Sequence, residues 1–185
     1  SGENTEFSIK LFSDELISFI SENKLSKPSV LGYSMGGYVA LYTALKPGNV
    51  LGNIMTIATK FDWNPESSKK EAGYLNPEIM QAKVPSLVEQ LKQRHGSHWE
   101  NVVKKTAAMM IELGEDPLIN AENIKEIQNK IKLCVGDKDK IVSVAETQTM
   151  YKRTPNASFC VMPNTAHLPE TMAVRSEEHT SELQS

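Results

Sequence analysis

Apolar residues recur at helical spacing at Ile9, Phe12, Leu16, Phe19 and Ile20, so the chain from Ser8 to about Asn23 reads as an amphipathic helix with Ser8 as its N-cap. The pattern then changes. "KPSVLGYS" is a short apolar run of strand character, and a helix is predicted from about Gly36 to Leu45, stopped by Lys46-Pro47-Gly48. "GNIMTIA" (Gly52 to Ala58) is a second, nearly continuous apolar run, as expected of a strand buried on both faces.

From Phe61 to about Asn129 short polar helices are punctuated by Asn64-Pro65, Asn76-Pro77 and Val84-Pro85, with proline suited to a first helical turn. Trp99 to Leu113 is the longest helix predicted in this stretch, and Gly114 is placed to end it. "IKLCVGDKDK" (Ile131 to Lys140) is a strand running into an acidic turn. Ser143 and Glu146 then match a capping box that opens a helix to about Arg153. "ASFCVMPNTAHLPE" supplies a last strand and a loop holding His167. Strands alternating with helices predict an α/β fold with a parallel sheet. The expected organisation is a core in residues 1–60 and 130–174, with residues 61–129 a helical cap or lid insert; ordinary crossover helices are the alternative.

Composition adds little to this for a chain of 185 residues, 39% hydrophobic and 23% charged. No apolar run approaches the roughly 20 residues of a membrane helix. The net charge of −3 comes with no basic stripe, which argues against nucleic acid or an anionic membrane as partner. The only two cysteines, Cys134 and Cys160, lie in apolar strand-like runs. They read as buried thiols of a reducing compartment, hence a cytoplasmic location, rather than as a disulfide or redox pair. The first residue is not Met, so a signal peptide lost from view is compatible with the sequence. "RSEEHTSELQS" (175–185) matches a translated sequencing adapter and is set aside as an artefactual tail. That stretch carries one Arg and three Glu, so without it the net charge is −1, and His179 leaves any site argument.

The chemistry concentrates in "GYSMGGYVAL", where Gly32, Ser34 and Gly36 fit G-x-S-x-G. A serine hydroxyl attacks well only if a base takes its proton and its oxygen stands clear of the backbone. A sharp strand-to-helix turn meets the second need, and its crowding favours glycine two residues to either side, here Gly32 and Gly36; Gly37 would allow close packing. The following helix aims free N–H groups and its positive dipole end at charge developing near Ser34. The motif alone is weak; its position between an apolar strand and a helix strengthens it.

With these residues the sequence resembles the α/β-hydrolase family from about Ser8 to Glu170. "GYSMGGYVAL" is similar to its nucleophile elbow, "GDKD" to its acid turn and "NTAHLPE" to its histidine loop, in the family's order of Ser, acid, His. The resemblance implies Ser34 as nucleophile, His167 as general base and then acid, and Asp139 as the residue that orients the imidazole. Met35 would supply one backbone N–H of an oxyanion hole. Asp139 is preferred to Asp137 because the family's turn reads G-x-x-D from Gly136; Asp137 is expected to be a turn former. Asp62 is a fallback acid.

Weaker candidates accompany these. His95 and His98 have metal-like spacing but no acidic or thiol partner beside them, so no metal is expected. Met109, Met110, Phe61, Trp63 and Trp99 would line an acyl pocket or simply pack a core. No phosphate-binding or nicotinamide fingerprint occurs, so no cofactor is expected. The family's second oxyanion donor comes from a loop after an early strand, usually marked His-Gly, and no such loop precedes Ser34. The expectation is therefore a fragment without the fold's first strands and the helix after His167, inactive or poorly folded as it stands. The parent would be a serine hydrolase of small acyl esters with a small-molecule substrate. Carbon–carbon bond hydrolase, thioesterase, lactonase, acyltransferase and non-catalytic binding module stay open.

Overall fold

A computed structural model describes residues 5–167; the 175–185 tail with His179, and the helix implied after His167, lie outside the described residues. The chain runs α1 (Ile9–Glu22), β1 (Val30–Tyr33), α2 (Met35–Leu45), β2 (Ile54–Ile57), α3 (Pro65–Tyr74), α4 (Pro77–Lys83), α5 (Pro85–His95), α6 (Trp99–Glu115), β3 (Ile131–Gly136), α7 (Val144–Arg153) and β4 (Ala157–Met162), with short 3₁₀ turns at Gly96–His98 and Ile124–Glu126. Two compact units result. Among the described residues, one holds Ser13–Phe61 and 119–167; the other holds Asp62–Leu118 with 5–12.

The first unit is built on a sheet in the order β1-β2-β3-β4, every neighbouring pair parallel. Its register sets Val30, Ile54, Ile131 and Ala157 in one row, and Tyr33, Ile57, Cys134 and Cys160 in another three residues on. Leu133 and Val135 are fully buried, as are Ala40 and Leu41 of α2. The nearly continuous apolar character of β3 and α2 follows, because both elements are covered rather than half-wet. Ile124 and Ile127 are equally buried in this unit, and Tyr38 accepts on its phenol oxygen from the Ile119 N–H. The capping box of α7 forms as its sequence predicts: Ser143 Oγ accepts from the Glu146 N–H and the Glu146 carboxylate accepts from the Ser143 N–H.

The second unit is helical. Asn64 and Asn76 cap α3 and α4, each side chain accepting from two first-turn amides, and Pro65, Pro77 and Pro85 occupy first-turn positions where no amide is needed. Met80, Val88, Trp99 and Val103 form its core, with Leu75 and Leu91 against them. One expectation fails here. Gly114 does not end α6, which continues to Glu115. A Cβ at this position would collide with the Ser68 side chain and the Asn64 carbonyl of the α3 region, so this glycine serves the close approach of two helices. At the other end of the unit Ser8 caps α1, its hydroxyl accepting from the Leu11 N–H.

Candidate active site

β1 ends at Tyr33 and α2 begins at Met35, leaving Ser34 alone to turn the chain, at φ 50° and ψ −120°. Such a backbone is costly for a residue with a Cβ and persists only where its surroundings hold it. Here the Ser34 N–H donates to the Ile57 carbonyl at 2.8 Å. Its own carbonyl accepts from the Gly37 N–H at 3.1 Å and from Thr59 Oγ1 at 3.0 Å. The turn folds the backbone back on itself so tightly that a Cβ on Gly32 would strike Gly37 and the Gly36 carbonyl. The crowding expected at Gly36 is absent: that residue is exposed with open space about it. It falls on Gly37 instead, where a Cβ would strike the Thr59 hydroxyl. One helical residue further on, the chain faces the sheet instead of solvent, which is why the demand for glycine moves.

At the end of β3 the chain turns through Gly136 to Asp139, whose carboxylate is fully buried. One oxygen accepts from the Ile141 and Val142 amides, both at 2.8 Å; the other accepts from His167 Nδ1 at 2.8 Å. An ionised carboxylate can only accept, so the imidazole proton sits on Nδ1 and Nε2 presents its lone pair. That Nε2 lies 3.3 Å from Ser34 Oγ. The imidazole is 15% exposed. The structure thus brings together three side chains from three separate strand ends, in a hydrogen-bonded chain from hydroxyl to imidazole to carboxylate.

Two neighbours that the sequence did not single out as site residues hold the histidine loop. Tyr33 donates its phenol O–H to the His167 carbonyl at 2.5 Å. Asp137, expected only to form a turn, accepts on its side chain from the Thr165 N–H, while the Lys138 N–H donates to the Thr165 carbonyl. The amides of Asn164 and Thr165 hold the Asp137 carboxyl below its usual range, the first of them most strongly. A tyrosine inside the elbow motif and an aspartate two before the acid carry no pattern that would announce these roles. The contacts span 134 and 28 residues of sequence.

Met35 is the first residue of α2, where backbone amides have no partner within the helix and the dipole end is positive. The remaining candidates lie elsewhere. Asp62 is exposed and accepts from the Asn64 side chain. His95 and His98 are exposed around the Gly96–His98 turn. Trp99 belongs to the helical core, and Met109, Phe61 and Trp63 are buried. Among the described residues, no group of three or more His, Cys, Asp or Glu is arranged to hold a metal ion, and no helix is long and apolar enough to cross a membrane.

A family model described as "Serine aminopeptidase, S33" (Hydrolase_4) matches residues 11–170. Among curated proteins no sequence matches significantly. Solved structures of similar fold include a thermophilic esterase from Thermogutta terrifontis, 20% identical, with a TM-score of 0.67 over 97% of this chain and 73% of that one. An enol-lactonase from Burkholderia xenovorans is 13% identical, with a TM-score of 0.67 over 97% and 74% of the two chains. A meta-cleavage product hydrolase from Pseudomonas fluorescens is 17% identical, with a TM-score of 0.62 over 98% and 72%. At these identities the likeness is one of fold.

Proposed function

The chain belongs to the α/β-hydrolase family that this model describes, and within it we propose a serine hydrolase of small acyl esters that works through an acyl-enzyme. The observation that carries the reading is the hydrogen-bonded chain Ser34 Oγ, His167 Nε2, His167 Nδ1, Asp139 Oδ2, with contacts of 3.3 and 2.8 Å. In this reading His167 takes the Ser34 proton as the hydroxyl oxygen attacks the ester carbonyl. Buried Asp139 keeps the imidazole in the tautomer that can accept that proton, and stabilises the imidazolium that forms. The Met35 N–H, at the positive end of α2, donates to the oxyanion. Collapse of the tetrahedral intermediate expels the alcohol, which takes its proton from His167. Water, deprotonated by the same imidazole, then attacks the acyl-enzyme, and its collapse releases the acid and restores Ser34.

Nothing in these steps calls for a metal or a cofactor. The proposed substrate is a small acyl ester, with no nucleic-acid or membrane partner. The test is a fluorophosphonate probe on the folded protein, read by intact mass, with Ser34→Ala as control and a panel of p-nitrophenyl esters alongside. A single adduct lost in the variant, with turnover of short esters, is the expected result. A folded protein that takes no adduct would overturn the hydrolase reading and favour a non-catalytic binding module. An adduct with no ester turnover would move the substrate to another acyl or carbon–carbon bond handled by the same nucleophile.

A further inference from the structure

Cys134 and Cys160 are register partners on the neighbouring parallel strands β3 and β4. Directly paired residues of a sheet project from the same face, and the strands are about 4.8 Å apart. That spacing lies inside the roughly 4.4–6.8 Å between Cα atoms that a disulfide spans; Cβ atoms on parallel vectors start a little beyond its roughly 3.5–4.5 Å, so closing the bond draws β3 and β4 slightly together. Both cysteines are free thiols, Cys134 buried and Cys160 half-buried. They stand directly opposite each other in the register, so the two thiols are neighbours across the strands. Burial, more than the neighbouring thiol, pushes Cys134 up to about 11, so it stays protonated near neutral pH. The two thiols differ in access, Cys160 being the more exposed.

We propose that Cys134 and Cys160 form a vicinal dithiol that hydroperoxides convert to an intramolecular disulfide. In the first step the Cys160 sulfur attacks a peroxide oxygen: an S–O bond forms, the O–O bond breaks, and water (or an alcohol) leaves with the thiol proton, giving a sulfenic acid. In the second step Cys134 gives up its proton and attacks the Cys160 sulfur as thiolate, a step that its raised pKa makes slower at neutral pH than at alkaline pH. The S–S bond forms as the S–O bond breaks, and the departing hydroxide takes up the released proton and leaves as water. Two electrons pass from the pair of thiols to the peroxide. Both are free thiols, as the sequence led one to expect, though Cys160 is only half-buried; their register is what the separate runs did not show. The bond would join the strands that end in the Asp139 turn and the His167 loop. It would lie in the same cross-sheet row as Tyr33.

With no other cysteine in the chain, the test is unambiguous. Native protein is treated with hydrogen peroxide, unfolded in denaturant with N-ethylmaleimide, and weighed intact, with and without dithiothreitol before alkylation. The expected result is loss of both alkylatable thiols in a monomer, with both recovered by dithiothreitol. Cys160→Ser should leave Cys134 alkylatable after the same treatment. The proposal is overturned if both thiols still alkylate in the treated wild-type protein. It is overturned equally by disulfide-linked dimers, or by irreversible oxidation of Cys160 with Cys134 still alkylatable. None of these readouts depends on Ser34, so they stand apart from the hydrolase reading.

Discussion

The phenol of Tyr33 and the backbone carbonyl of His167 are joined by a 2.5 Å hydrogen bond, with the two rings 5.5 Å apart and tilted. The residue just before Ser34 thus holds the residue that Ser34 must meet, and one contact couples the elbow to the histidine loop. Tyr33→Phe keeps the ring and removes the bond. A single hydrogen bond contributes about 0.5–1.5 kcal/mol, so ester turnover is expected to fall by roughly 2- to 10-fold. A steady-state comparison, with near-unchanged KM and a thermal melt to verify folding, checks this.

Ser34→Ala and His167→Ala each remove a member of the proposed relay. Such members act as a unit, so either loss is expected to cost on the order of 10⁶ in kcat, and the double variant little more. Single-turnover rates of all three proteins test it. A double variant far slower than either single one would mean that the two residues work independently.

Asp139→Asn retains an oxygen for the Ile141 and Val142 amides but offers His167 an amide in place of a carboxylate. With the imidazole held in the wrong tautomer, kcat is expected to drop by about 10⁴ while the fold persists. Circular dichroism together with kinetics separates this from unfolding. Loss of the fold would assign Asp139 to architecture instead.

Asp137 has its carboxyl lowered by the Asn164 and Thr165 amides. The carboxylate form is therefore favoured in the folded protein. Its contribution to stability is fully present above the ordinary value of 3.8 and is lost as pH falls through the lower folded value. Asp137→Ala should melt below wild type at neutral pH, and the gap should close as the pH falls below 3.8 and through the lower folded value. Melting curves across that range decide it; a gap independent of pH would sink the idea.

Gly36 and Gly37 sit side by side, yet only Gly37 has no room for a Cβ. Gly37→Ala drives a methyl into the Thr59 hydroxyl that holds the Ser34 carbonyl, and is expected to destabilise by about 1–3 kcal/mol. Gly36→Ala meets open space within a helix, so a gain of up to about 1 kcal/mol is expected. Chemical denaturation of the pair distinguishes the two, and equal losses would contradict the packing described.

What the sequence determined by itself is local. The apolar run to Tyr33, the serine and the helix behind it announce a strand, a turn and a helix, because hydrophobic periodicity and glycine placement act within a few residues. The Ser143–Glu146 box and the Asn-Pro helix starts were legible for the same reason, since a cap bonds to amides two or three positions away. Chain order against a family pattern singled out Asp139 and His167, without giving a distance between them. Only the tertiary structure brought these two within 2.8 Å of each other and set Ser34 3.3 Å from the imidazole. It also decided that Gly37 rather than Gly36 is crowded, that Gly114 packs helices instead of ending one, and that Cys134 and Cys160 share a register. Each of these depends on which side of an element meets another. Burial against a distant segment sets that, and residue spacing along one segment does not encode it.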